Sequence, residues 1–141
     1  MTRRFSIRSI DDALRLADEW GVTVQWGMPT SQGASDRRRG EYHHDSKQIT
    51  IRPGMTAKQV LCTLTHELAH AYYGDGISSP SREARAWDWA ARVLVDPDAY
   101  AHAEQVVGPH PGALAVELSV TVPVIVAWQR SARITNPTKR K

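Results

Sequence analysis

The stretch TAKQVLCTLTHELAHA, residues 56–71, predicts a long amphipathic helix on which the rest of the chain can pack. Thr56 and Gln59 have the spacing of a capping box, in which two side chains satisfy backbone N–H groups at the start of a helix. Apolar residues then recur at helical spacing and form one stripe: Val60, Leu61, Leu64, Leu68 and Ala71. Gly74 and Gly76 follow this pattern, so we expect the helix to end there.

The same helix carries the motif His-Glu-x-x-His at residues 66–70. His66 and His70 are one turn apart on one face, so both imidazoles can reach a zinc ion at ~2.0–2.1 Å. Glu67 lies about 100° round the helix and can instead reach a water molecule as a general base. This arrangement is typical of metal-assisted hydrolysis. The alternative is a pair of surface histidines that flank a glutamate and bind no metal.

A third metal ligand is expected on the next helix, because a catalytic zinc has three protein ligands and one open position. Our candidate is Glu83, thirteen residues after His70 and early in a helix that can fold back after the turn at residues 74–76. The alternative is that Glu83 only complements the dipole at the start of that helix.

Other polar side chains compete for this role. Asp75 is more typical of a turn former, and Asp88 would point elsewhere on the helix of Glu83. His43 and His44 are neighbours on a predicted strand and face opposite sides, so at most one of them can face the site. For the remaining histidines we expect solvent-exposed positions: His102 and His110.

The segments around the motif predict an α+β fold. Their patterns indicate a helix at 10–20, a strand at 22–26, a hairpin at 41–52, and helices starting near 80, 97, 113 and 122. We therefore expect a small antiparallel sheet packed on a helical body, with the motif-bearing helix against the sheet.

Composition limits the class of protein. The chain has 141 residues, a length that suits one domain or one domain with a small appendage, and its 41% hydrophobic and 23% charged residues are typical of a globular protein. One cysteine excludes an internal disulfide and a four-cysteine zinc cage. The sequence lacks a signal-like start and a run of ~18 apolar residues, so we expect an intracellular, cytoplasmic protein with no membrane partner.

The basic character is concentrated at the C-terminal end. Five basic residues and no acidic residue lie in 130–141, and the whole chain carries +3, so residues 1–129 carry a net −2. A basic tail favours weak, non-specific contact with nucleic acid. We favour the simpler interpretation, a solvated tail, and expect weak or no binding of nucleic acid.

Three segments resemble the ImmA/IrrE metallopeptidases: Thr65–Ala71, Glu83-Ala84, and Ala90–Leu94 before Pro97. The resemblance extends over about residues 8–130. It implies a gluzincin-like zinc protein in which His66, His70 and Glu83 bind Zn²⁺ and Glu67 is the general base. The family often has an acidic or amide residue at the position of Trp87, and a second glutamate at that of Arg85.

The resemblance also implies a role. Family members are common in phages, mobile elements and their bacterial hosts, and those of known role cut a helix-turn-helix repressor or cause its loss. The implied activity is a zinc-dependent endopeptidase acting on an intracellular protein, with such a repressor as a candidate substrate. The alternative is a DNA-binding or repressor-binding regulatory protein whose metal site is structural or vestigial.

Residues 114–128 are similar to a helix-turn-helix pair. The second helix would read DNA, but Val122, Pro123, Val124 and Ile125 offer no donors to base edges. Packing or protein docking is therefore favoured. The predicted division is a zincin-like metallopeptidase domain at 1–107, a helix-turn-helix-like pair at 108–134 and a basic tail at 135–141.

Overall fold

The computed structural model describes residues 5–27 and 39–135, and it describes side chains only as far as Arg133. Residues 136–141 of the predicted tail therefore lie outside the described residues. The elements follow in the order α1 (Ile10–Glu19), β1 (Thr23–Trp26), β2 (Gly40–His43), β3 (Gln48–Ile51), α2 (Ala57–Tyr73), α3 (Pro80–Leu94), α4 (Pro97–Val107), α5 (Pro111–Leu118) and α6 (Val122–Thr135). The α+β class is confirmed.

The sheet is mixed, with the strand order β1-β3-β2. β2 pairs antiparallel with β3, as the predicted hairpin requires, and places Tyr42 opposite Ile49. β1 pairs parallel with β3 and places Val24 opposite the same Ile49. The prediction of a wholly antiparallel sheet is therefore wrong for β1. A parallel pair needs a long crossover connection, and the chain between Trp26 and Gln48 is long enough to supply one.

Helix α2 forms the centre of the molecule. Its capping box is present: Gln59 N donates to Thr56 Oγ1 at 3.2 Å, and Thr56 N donates to Gln59 Oε1 at 3.0 Å. Leu64 and Leu68 are fully buried in the core. The helix packs on β2, β3 and α3, so the predicted packing of the motif-bearing helix on the sheet is confirmed.

Strand β2 crosses α2 closely at Gly40. A Cβ atom at Gly40 would lie 2.8 Å from Thr63 Cγ2, 3.1 Å from the carbonyl oxygen of Thr50 and 3.4 Å from Glu67 Cγ. Two of these distances are too short for a relaxed contact, and the carbonyl oxygen is backbone that cannot rotate away. Gly40 thus lets the sheet approach the part of α2 that carries the motif.

We expect the change Gly40→Ala to lower the free energy of unfolding by about 1–3 kcal/mol, because the added methyl group overpacks this contact. Urea unfolding of both proteins measures the difference. Gly76→Ala is the matched control, since a Cβ at Gly76 meets no atom within 4 Å. Equal unfolding midpoints for Gly40→Ala and the parent protein would show that the contact is loose.

The C-terminal helices pack on the helical body. Leu114 of α5 and both Val124 and Ile125 of α6 are fully buried. α6 contacts α3, where Arg130 Nη2 donates to Asp88 Oδ1 at 2.6 Å. The boundary at residue 107 stays a prediction.

In the described part of the chain, no single helix has the length and apolar character to cross a membrane. Only α5 together with Val122–Arg133 of α6 passes that test, as a pair bent by 112°.

Candidate metal centre

The two histidines of the motif lie side by side in α2. Their ring centroids are 4.9 Å apart with the planes perpendicular, and both rings are buried. Glu83 reaches them from the first turn of α3, which begins at the N-cap Ser79 with Pro80 at its first position. The Glu83 carboxylate spans the pair, because Oε1 lies 2.9 Å from His66 Nε2 and Oε2 lies 3.0 Å from His70 Nε2.

These three side chains suit a zinc ion. One donor atom from each of His66, His70 and Glu83 lies within 4.8 Å of the others, and within the described residues no other group of histidine, cysteine and acidic side chains meets that condition. Two imidazole nitrogens and a carboxylate oxygen are ligands that zinc prefers. Bonds of ~2.0–2.1 Å in a tetrahedron would space the ligand atoms by roughly 3.3 Å. The two contacts between Glu83 and the histidines, 2.9 and 3.0 Å, are slightly shorter than this spacing.

The electrostatics of the cluster follow from its contacts. Burial lowers the pKa of His70, but hydrogen bonds with Glu83 and Asp75 outweigh burial and raise the pKa to about 9. Burial raises the pKa of Glu83, but hydrogen bonds with His66, His70 and Ser78 outweigh it and hold the pKa far below its usual range. Glu83 is therefore a carboxylate at neutral pH and can act as a ligand.

Glu67 lies beside the cluster and outside the set of three. Its Oε2 is 4.0 Å from His66 Nε2, and its side chain is buried at the base of the cleft. Burial raises the pKa of Glu67, and the nearby histidines act in the opposite direction. A buried carboxyl group with a raised pKa is suited to accept and return a proton near neutral pH.

The outer sides of the two histidines have different surroundings. His70 Nδ1 donates to Asp75 Oδ2 at 2.8 Å, and Asp75 is only 4% exposed. The His66 ring packs against Trp87, with centroids 4.1 Å apart. His66 Nδ1 is buried and has no hydrogen-bond partner among the residues that the structure describes.

A cleft of about 970 Å³ opens over the cluster. Its walls come from β2, from the turn after α2, from α3 and from the start of α6. Beyond the site residues, the side chains that shape it include Arg39, Tyr42, Ile77, Trp87, Thr121 and Pro123. Four segments that are separate in the sequence thus surround the three candidate ligands.

The other candidate residues lie elsewhere. Asp88 pairs with Arg130 on α6. His43 lies near Glu41 at 3.5 Å, and His44 Nδ1 is 3.2 Å from the hydroxyl oxygen of Tyr42. His102 is exposed, as expected.

Sequence reasoning missed two roles. Exposed His110 caps α5, where its Nδ1 accepts from Gly112 N at 3.1 Å. Asp75 does lie in a turn, but it also contacts the outer nitrogen of His70. The signal for the second role was the spacing of five residues across a helix-ending glycine.

Comparison with known families bears directly on this geometry. Residues 26–122, more than half of the chain, match the sequence profile of the IrrE N-terminal-like domain, a peptidase family. The chain belongs to this family. The match includes His66, Glu67, His70 and Glu83, and it supports a protein of the metallopeptidase type. No curated protein matches the chain.

Proposed function

We propose that this IrrE-like chain is a zinc-dependent endopeptidase that hydrolyses a peptide bond in an intracellular protein. The observation that carries the proposal is the convergence of the His66, His70 and Glu83 donor atoms at the base of an open cleft, with the Glu67 carboxyl group beside them. Family membership adds support, because the same residues fall within the matched segment.

The residues divide the chemistry between them. His66, His70 and Glu83 would hold the zinc ion. A zinc ion bound there lowers the pKa of a water molecule and polarises the carbonyl group of the scissile bond. Glu67 accepts the proton of the attacking water and returns it to the leaving amine. The burial that raises the Glu67 pKa makes Glu67 a stronger base, which favours its uptake of that proton.

The shape of the cleft favours an extended polypeptide as the substrate. In the described part of the sheet β2 is an edge strand, since the order is β1-β3-β2. Gly40, Glu41 and Tyr42 of this strand line the cleft. A substrate segment can add along β2 by main-chain hydrogen bonds, which places its backbone beside Glu67. By family resemblance, a helix-turn-helix repressor is our candidate substrate.

The DNA-binding alternative has less support. Val122 and Val126 of α6 are 44% and 43% exposed, so they place apolar groups on its exposed surface, where a reader of DNA would need hydrogen-bonding groups. Pro123 and Thr121 face the cleft. The positions of these two residues favour a structural role, in which the start of α6 forms part of the cleft wall.

A peptide-library assay tests the proposal. The zinc-loaded protein is incubated with a mixture of unstructured peptides, and new termini are identified by mass spectrometry. We expect cleavage that stops with a zinc chelator and returns when zinc is restored. A protein that binds zinc but cuts neither the library nor a co-expressed helix-turn-helix repressor would overturn the endopeptidase assignment.

A further inference from the structure

We propose that Asp75 is the positioning residue for His70 and that Arg85 holds Asp75 in place. The bracing of the metal site then comes from the turn after α2, and not from position 87 of α3. This inference rests on the proposed function only in taking His70 to be a ligand, and its test includes the metal-free protein.

The end of α2 directs Asp75 back towards His70. Gly74 adopts the left-handed conformation with φ 66°, which suits glycine. Gly74 N donates to Ala71 O at 3.1 Å, and Asp75 N donates to His70 O at 2.9 Å. This pair of bonds is a Schellman motif, which brings the side chain after the glycine against the residue five positions earlier. Here a carboxylate and an imidazole occupy the two places that usually hold apolar side chains.

Both carboxylate oxygens of Asp75 are used. Oδ2 accepts from His70 Nδ1 at 2.8 Å, and Oδ1 accepts from Arg85 Nη2 at 2.7 Å. The Arg85 guanidinium in turn lies over the ring of Tyr73, 4.0 Å from its centroid. Because a buried carboxylate is costly without a partner, the Arg85 guanidinium compensates the Asp75 carboxylate and holds it in position. Arg82 Nε lies 3.7 Å from the same Oδ1, so Arg85 is the nearer of two guanidinium groups that anchor Asp75.

The bond to Asp75 determines what His70 offers to the cleft. A carboxylate accepts and does not donate, so His70 Nδ1 carries a proton. In the neutral ring the lone pair is then on Nε2, which faces Glu83. The bond also fixes the ring plane, as partners of metal-binding histidines do in general. Asp75 therefore fixes the tautomer and the orientation of the His70 ring and raises the basicity of its Nε2.

The residues of α3 agree with this arrangement. Position 87 is a tryptophan, which packs against the His66 ring and cannot accept a hydrogen bond from an imidazole. Position 85, where the family resemblance leads one to expect glutamate, is an arginine. A glutamate there would bring a second negative charge towards Asp75, whereas the Arg85 guanidinium pairs with Asp75 at 2.7 Å. Arg85 and Asp75 thus form a matched pair in this chain.

Zinc affinity tests the proposal. The metal-free parent protein and its variants are titrated with zinc against a chromophoric chelator. We expect Asp75→Ala to weaken binding by about 10–100-fold and Arg85→Ala to weaken it less. Asp75→Asn should restore part of the loss, because its amide oxygen can still accept from Nδ1. The control is Asp88→Ala, which removes a carboxylate–arginine pair in which Asp88 bonds to Arg130 and not to an imidazole, and which should leave the affinity unchanged.

Proton NMR of the metal-free protein gives a readout that does not depend on zinc. The His70 Nδ1 proton should exchange slowly with solvent in the parent and in Asp88→Ala, and rapidly in Asp75→Ala. If Asp75→Ala does not fold, the zinc affinity and the exchange rate of the His70 Nδ1 proton are compared for Asp75→Asn and Arg85→Ala, and these two variants then test the proposal. A parent that binds no zinc but protects this proton would remove the proposed function and keep the positioning role. Zinc affinities within twofold for all variants, or an unprotected proton in the parent, would overturn the positioning role.

Discussion

Replacing Glu67 with glutamine is expected to lower the rate of peptide hydrolysis by about 10²–10⁴-fold, the usual contribution of a general base. Glutamine has the same shape and fills the buried position beside His66, but its amide group cannot take up a proton. Since Glu67 is not one of the three converging donors, the variant should bind as much zinc as the parent. The defect should therefore be in turnover and not in metal content.

Initial rates on the best peptide from the library, together with zinc content, measure this effect. Glu117→Gln is the matched control, because Glu117 is exposed on α5 and lies outside the cleft. An unchanged rate in Glu67→Gln would contradict the role of Glu67. Biological activity that persists in this variant would favour a regulatory protein that binds its partner without cutting it.

Replacing Leu68 with alanine is expected to lower the free energy of unfolding by about 2–5 kcal/mol, the range for a leucine truncated in a closed core. Leu68 has no exposed surface and lies on α2 between the two histidines. The backbone of α2 is held at both ends by its caps, so the surrounding side chains can refill the cavity only in part. The loss should consequently be near the middle of that range or above it.

Urea unfolding of the chelator-treated proteins measures the loss without the contribution of bound metal. The control is Val116→Ala, because Val116 is 73% exposed on α5 and its truncation should change stability by less than about 0.5 kcal/mol. A Leu68→Ala protein as stable as the control would mean that α2 is not the centre of the core.

Much of the site could be predicted from the sequence, because its main determinants are local. The spacing of four residues places His66 and His70 on one face of any α-helix. The capping box at Thr56 and the Ser79-Pro80 start of α3 are also short-range patterns, and both are present in the structure. The prediction of Glu83 as the third ligand required one further assumption, that the turn between α2 and α3 folds α3 back on α2.

The features that escaped prediction depend on contacts distant in sequence or on turn geometry. β1 pairs parallel with β3, but the strand pattern of β1 would be the same for either direction. The Asp75 contact needed the conformation of Gly74 to be known. The pairing of Arg85 with Asp75 could then be predicted only once the position of Asp75 was known. The spacing of five residues across Gly74 was the one sign of the Asp75 contact, and the sequence pattern contains no direct sign of the Arg85 pair.

Metal analysis of the purified protein beside its His66→Ala variant examines the three-ligand site itself. Removing one of three ligands should abolish stable binding, since the two that remain cannot close the site. We predict about one zinc ion per chain in the parent and almost none in the variant. Equal metal content in the two proteins would contradict the site formed by His66, His70 and Glu83.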